Sequence, residues 1–153
     1  MDISHLAPCI VKYNVPADSK NNRPSRCYRV QVKYSDHCYT TKKEGSNTER
    51  IFNQQRYDLS KKLPFIIQNL LTLQCSFANG VNYYTINITE DNQEYEVYFE
   101  LYKAKGTGSL HLIVHSAYVR DVERQKNRPK WESVRFSVIL YSTLMGKKLH
   151  RKK

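Results

Sequence analysis

Along Glu94-Tyr95-Glu96-Val97-Tyr98-Phe99-Glu100-Leu101-Tyr102, the apolar Tyr95, Val97, Phe99 and Leu101 alternate with Glu94, Glu96, Tyr98, Glu100 and Tyr102. Only an extended chain sorts a repeat of two onto opposite faces, so the stretch predicts a β-strand with one packed face and one wet face. The pattern recurs in Leu110 to Tyr118, where Leu110, Leu112 and Val114 oppose His111, Ile113 and His115, and again in Val134 to Tyr141. It is weaker in Tyr84, Ile86 and Ile88 against Tyr83, Thr85 and Asn87. Glu90-Asp91-Asn92 and the glycine-bearing Lys105-Gly106-Thr107-Gly108-Ser109 read as hairpin connections, which gives four successive antiparallel strands between Val81 and Tyr141.

Upstream, Ile10, Val11 and Tyr13 form a short candidate strand closed by Pro16, and a polar loop leads to Pro24 and Ser25. Tyr28, Val30, Val32 and Tyr34 alternate with Arg29, Gln31 and Lys33, and Ser35-Asp36 turns the chain into a second short strand, His37 to Thr41, making a hairpin. One helix is expected next. Ser60 is its N-cap, Pro64 falls in its first turn, and Leu63, Ile66, Ile67, Leu70 and Leu71 recur at helical spacing. The expected fold is α+β: an antiparallel sheet of four to six strands with one main amphipathic helix packed on one face. We expect a single domain over residues 1–146, with a core at 57–142 and an N-terminal hairpin extension at 1–56. Residues 147–153 are expected to form a disordered basic tail.

With the helix on one side, the other side of the sheet stays open. It gathers Tyr83, Thr85, Glu96, Tyr98, Glu100, Tyr102, His111, His115, Arg135, Ser137 and Tyr141, whereas an ordinary solvated face favours Lys, Glu, Thr and Gln. Charge sharpens the picture. Lysine and arginine number 25 against 14 acids, for a formal net charge of +11, and five of the basic residues lie in Lys147 to Lys153. Such a balance favours a polyanionic partner, RNA first, or an acidic protein. The segment Arg120 to Glu132 carries Arg120, Arg124, Arg128 and Lys130 beside the single tryptophan, Trp131, a mixture suited to phosphates and stacked bases. No apolar run approaches the roughly 20 residues of a membrane span, and Met1 to Tyr13 lacks a secretory signal's apolar core, so a cytoplasmic protein with no membrane partner is expected. Cys9, Cys27, Cys38 and Cys75 lack metal-site spacing and read as free thiols.

The chain has no phosphate loop, dinucleotide fingerprint, nucleophile elbow or HExxH motif, and no cofactor or metal is expected. What remains is acid–base chemistry beside phosphates. Cleaving RNA through its own 2′-hydroxyl needs a base, an acid for the departing 5′-oxygen, and a cation for the charge growing on the phosphorane. Glu96 or Glu100 is the candidate base and His111 or His115 the candidate acid. Arg135, Arg120 or Arg128 is the candidate phosphate clamp, while Tyr98 or Tyr141 places a nucleobase or the scissile group. His111 and His115, about 13 Å apart along an extended strand, cannot both serve one proton.

The order of a helix, then four antiparallel strands with a basic segment before the last, resembles the core shared by the RelE-type toxin ribonucleases and the barnase-like microbial ribonucleases. The resemblance covers Ser60 to Tyr141. RelE-type chains usually place two helices before the sheet, where this chain has the candidate hairpin Tyr28 to Thr41. The resemblance implies a metal-independent ribonuclease toxin encoded beside an antitoxin, or a mobile-element product. Two other readings stand beside it: a non-catalytic nucleic-acid-binding module, and a protein-interaction component of a mobile element or effector system.

Overall fold

A computed structural model describes residues 1–78, 83–90, 92–120 and 131–149. Its centre is a seven-stranded sheet. The strands are β1 (Cys9–Val15), β2 (Arg26–Tyr34), β5 (Gln74–Phe77), β6 (Tyr84–Glu90), β7 (Gln93–Lys103), β8 (Leu110–Val119) and β9 (Glu132–Arg135), in the spatial order β1-β2-β8-β7-β6-β5-β9. A separate two-stranded ribbon pairs β3 (Thr40–Lys42) with β4 (Arg50–Phe52). The helices are α1 (Gln54–Ser60), α2 (Leu63–Gln68) and α3 (Phe136–Leu144).

The α+β class stands, but the sheet is larger than expected and mixed. β2 runs parallel to β8, and its hairpin partner is β1, so the expected Tyr28 to Thr41 hairpin does not form. After Tyr34 the chain makes a 3-10 turn at Asp36–Cys38, in which Ser35 Oγ accepts from the His37 amide. Only then does it enter the small ribbon. Cys38, buried in that turn, contacts the Val114 carbonyl through its sulfur, which anchors the turn beside β8 where β2 has ended.

The helix expected from Ser60 through Leu71 is shorter: α2 covers only Leu63–Gln68 with Lys62 at its N-cap, Leu70–Thr72 forms a 3-10 turn, and a separate short helix, α1, precedes it. Asn53 caps α1 by accepting from the Arg56 amide at 2.9 Å, and Ser60, read from the sequence as a helix start, is α1's buried last residue. Its hydroxyl donates to the Tyr57 carbonyl and meets His5 Nε2 at 2.9 Å. The break follows from Pro64, whose missing N–H cannot bond back to residue 60, so the ring is tolerated only in the opening turn of a new helix.

The expected fourth strand is likewise corrected. Pairing ends at Arg135, β9 joins β5 at the sheet edge, and Phe136 begins α3. Phe136, Val138 and Leu140 fit a period of two, but Phe136, Ile139 and Leu140 also fit the i, i+3, i+4 spacing of a helix, and these three are fully buried. Tertiary packing chooses the helix. Phe136 meets Tyr13 edge-on at 4.9 Å and Phe99 at 6.0 Å. Val97, Phe99, Leu112 and Val114 of the sheet lie in one core cluster with Leu63, Ile67 and Leu70 and with Val30 and Val32 of β2. Tyr13, buried in that core, donates from its hydroxyl to the Ile67 carbonyl at 2.6 Å. All of this lies on one face of the sheet.

A candidate nucleic-acid interface on the polar face

The opposite face of β6, β7 and β8 carries what the alternation put there. Register pairs Thr85 with Tyr98, Asn87 with Glu96, Tyr98 with Ser116 and Glu96 with Tyr118. One irregularity shapes the site. Tyr98 pairs with Ser116 but Phe99 pairs with Val114, so His115 is an extra residue on β8. Such a bulge twists the strand and shifts its parity by one. Beyond it Ala117 enters the core and Tyr118 joins Tyr98 on the polar face, where strict alternation would have reversed them. The visible signal is that Ser116 and Tyr118 would otherwise fall on the apolar side.

Around the bulge the side chains form two pairs. His115 Nε2 lies 2.9 Å from Glu100 Oε2, with both side chains over a third exposed. Glu96 is buried although it lies on the polar face. Arg120 holds it at 3.0 Å, and the Tyr98 hydroxyl donates to it at 2.7 Å. Arg120 also lies 3.8 Å from Glu94 and is itself buried, with no partner for its Nε among the described residues. Burial pushes the Tyr98 phenol well above its ordinary range, and its contacts with Tyr118 and Glu96 act in the same direction. Glu96 is therefore committed to the fold, and Glu100 keeps its access to water.

Aromatic rings frame an open cleft of about 440 Å³ lined by Tyr83, Tyr98, His115, Ser116 and Tyr118. Tyr98 and Tyr118 stack with centroids 5.6 Å apart, and Tyr83 meets Tyr98 edge-on at 5.5 Å and Trp131 at 6.1 Å. Arg56 of α1 sits 5.0 Å over the Tyr118 ring, where donations to the carbonyls of His37 and Thr40 hold it. His37 stands at the same end, its pKa lowered by burial and by nearby Arg50. Neither Tyr118 nor Arg56 is singled out by the sequence pattern, because the bulge places one and the helix break the other.

The remaining candidates divide. His111 stacks on Tyr102 at 5.1 Å, with Nε2 3.1 Å from Ser109 Oγ, two residues before Ile113 on the same face. Arg135 shares the face but pairs with Gln74 on the far strands, three strands or about 14 Å from Glu96. It does not join the Glu100–His115 pair. Tyr141 is not on the sheet at all: it lies on α3, stacked under Arg23 at 4.2 Å, with Lys147 at 5.8 Å. Arg124, Arg128 and Lys130 lie outside the described residues, and so does most of the basic tail. Along the other flank of the face, β1 and β2 expose Lys12, Arg29 and Lys33, with Gln31 beside His111 and Lys33 beside Ile113.

Among the described residues no three His, Cys, Asp or Glu side chains come together as metal ligands would, and no helix is long and apolar enough to cross a membrane. The cysteines are free: Cys9 and Cys27 are exposed, while burial pushes the Cys38 and Cys75 thiols up to about 12. No curated protein and no solved structure matches the chain. One family model does match, that of the YjaZ family, over residues 1–144.

Proposed function

The chain belongs to the YjaZ family. From the geometry of its open sheet face we propose that this face binds single-stranded nucleic acid, RNA in the first place. The observation that carries the reading is the tyrosine-lined cleft beside a basic flank. Tyr83, Tyr98 and Tyr118 offer ring faces and edges within one depression, and exposed Lys12, Arg29 and Lys33 border the same face. Bases stack on aromatic rings at roughly 1–3 kcal/mol each with little sequence preference, and phosphates pair with the cations at a strength that falls with salt. The net charge of +11 supports the same partner. The test is fluorescence anisotropy with a labelled mixed-sequence RNA across a salt series. Tyr118→Ala should weaken binding about 5- to 100-fold, and Lys33→Glu with Arg29→Glu should flatten the salt dependence. Affinity unchanged in both variants would remove the face from the reading.

A second reading is favoured by one contact, His115 Nε2 at 2.9 Å from Glu100 Oε2. On it, Glu100 or His115 removes the 2′-hydroxyl proton and the other group protonates the departing 5′-oxygen, giving a 2′,3′-cyclic phosphate without a metal. This is the ribonuclease chemistry expected from the sequence, with the choice between Glu96 and Glu100 falling on Glu100 because Glu96 is occupied by Arg120 and Tyr98. Arg120 is itself neutralised by Glu96 and Glu94, so a phosphate clamp would have to come from another cation. Incubation with RNA in EDTA tests it. Cyclic-ended products that vanish in His115→Ala would support cleavage, and intact RNA retained at low salt would leave the binding reading alone.

A further inference from the structure

The small ribbon and α1 bring two arginines onto one carbonyl at the end of the tyrosine cleft. Arg50, the first residue of β4, donates from Nε to Thr40 Oγ1 at 2.9 Å and from Nη2 to the Thr40 carbonyl at 2.8 Å. Arg56, in the first turn of α1, donates from Nη1 to that same carbonyl at 2.8 Å and to the His37 carbonyl at 3.0 Å. Two cations this close repel, and a partly buried charge is ordinarily paired with an acid. Among the described residues no carboxylate pairs with either arginine. Glu49 is held by Lys43 at 3.0 Å, Glu100 by His115 at 2.9 Å, and Asp36 lies 3.8 Å from His37. Burial, and then the charge of Arg50, lowers the pKa of Arg56.

Both guanidiniums keep donors to spare. Arg56 Nε and Nη2, the edge that grips two oxygens side by side, have no partner among the described residues, and neither has Arg50 Nη1. The Tyr95 hydroxyl and Arg120 Nε are the only unpartnered side-chain atoms there that water does not reach, so the spare donors of Arg50 and Arg56 are wet. The His37 side chain, 45% exposed, stands beside them. Burial lowers its pKa most, and Arg50, Arg56 and His115 lower it further against the opposing effect of Asp36. Uncompensated guanidiniums with free paired N–H groups suit a phosphate, which accepts two parallel bonds and neutralises the repulsion. The cleft suits the rest of such a ligand. Arg56 lies 5.0 Å over the Tyr118 ring, and Tyr118 lines the cleft with Tyr98 and His115. At this end the 3-10 turn and α1 lie against β8 where β2 has ended, which closes the face. A nucleic-acid strand that stops there presents a phosphomonoester, whose two charges two guanidiniums match.

We infer that Arg50, Arg56 and His37 form a subsite for a phosphomonoester carried by a nucleoside whose base lies in the tyrosine cleft, either a free mononucleotide or the phosphorylated end of a strand. The inference rests on the reading of the sheet face as a nucleic-acid surface and adds the group which that face selects. Isothermal titration of the full chain compares adenosine with adenosine 5′-monophosphate and 3′-monophosphate. At least one monophosphate should bind saturably and about ten-fold or more tighter than adenosine. Arg50→Gln, folded by circular dichroism, should cut that ratio to about three or less. Equal affinity of the unaltered protein for adenosine and both monophosphates would overturn the inference, whether or not the variant folds. So would a ratio that survives Arg50→Gln, since the gain would then come from the general positive charge. Two RNA oligonucleotides of one sequence, with and without phosphate at the preferred end, identify the source. A preference of about ten-fold for the phosphorylated one assigns a strand end, and equal affinity with the monophosphate preference retained assigns a free mononucleotide. The RNA titration reads the sheet face separately. RNA binding that depends on Tyr118 but comes with no monophosphate preference overturns this inference alone, and binding of neither RNA nor monophosphate overturns both.

Discussion

Glu96 and Glu100 stand four residues apart on the same face of β7, each with a nitrogen about 3 Å from its carboxylate, yet water reaches one pair and not the other. Glu96 and Arg120 are 6% and 7% exposed, whereas Glu100 and His115 are 36% and 44% exposed. The strand treats the two carboxylates identically; their neighbours do not. Tyr98, Tyr118 and the start of the segment after β8 close over Glu96, while the bulge at His115 holds Glu100 at the rim of the cleft. A face that periodicity marks as polar thus contains a buried ionic cluster beside a solvated acid–base pair. A buried pair constrains the fold because breaking it strands a charge, while an exposed pair adds little to stability and keeps its chemistry available.

The widest test of this contrast is alkaline titration. Burial raises the phenols of Tyr13, Tyr34 and Tyr95 on the covered face, and that of Tyr98 on the polar face. A group whose folded pKa lies above its unfolded value of about 10 contributes stability that is complete below pH 10 and is lost as pH rises beyond it. Absorbance at 295 nm should show these four ionising only in the cooperative unfolding step. Ionisation of Tyr98 in the folded protein would place it with the solvated pair and break the comparison.

Arg120→Ala comes next. It leaves Glu96 buried without its cation and should cost about 3–5 kcal/mol in urea unfolding. Tyr98→Phe removes one donor to the same carboxylate and should cost about 1.5–3 kcal/mol, with the ring stack on Tyr118 intact and RNA affinity retained. The smallest effect belongs to the exposed pair: Glu100→Gln should change stability by less than about 1 kcal/mol. If the second functional reading holds, the same change removes RNA cleavage in EDTA. A Glu100→Gln penalty as large as that of Arg120→Ala would erase the distinction.

Most of what positions the site on β6, β7 and β8 is legible in the amino-acid sequence. Two-residue periodicity is a property of each strand alone, so it puts Glu96, Tyr98, Glu100 and Tyr102 on one side of β7 and His111 and His115 on one side of β8, and the two sides coincide because both apolar sides turn to one core. It puts Arg135 on that face too, but the distance from β7 is not readable, because strand order is not written in periodicity. Tyr141 departs from its expected place for a different reason. Phe136 to Leu140 satisfies both periods, and the choice rests on contacts with Tyr13 and Phe99, more than thirty residues away in the chain.

The sequence by itself determined the α+β class, the two-faced strands and the polar character of the open face, because these follow from the local spacing of apolar side chains. Only the tertiary structure decided which of those polar groups are usable. The parallel pairing of β2 with β8 joins distant parts of the chain, while the extra residue at His115 and the return of Arg120 onto Glu96 depend on how β8 pairs with β7. Burial of a charge is set by what surrounds it on every side, and a strand's own sequence specifies only two of those sides.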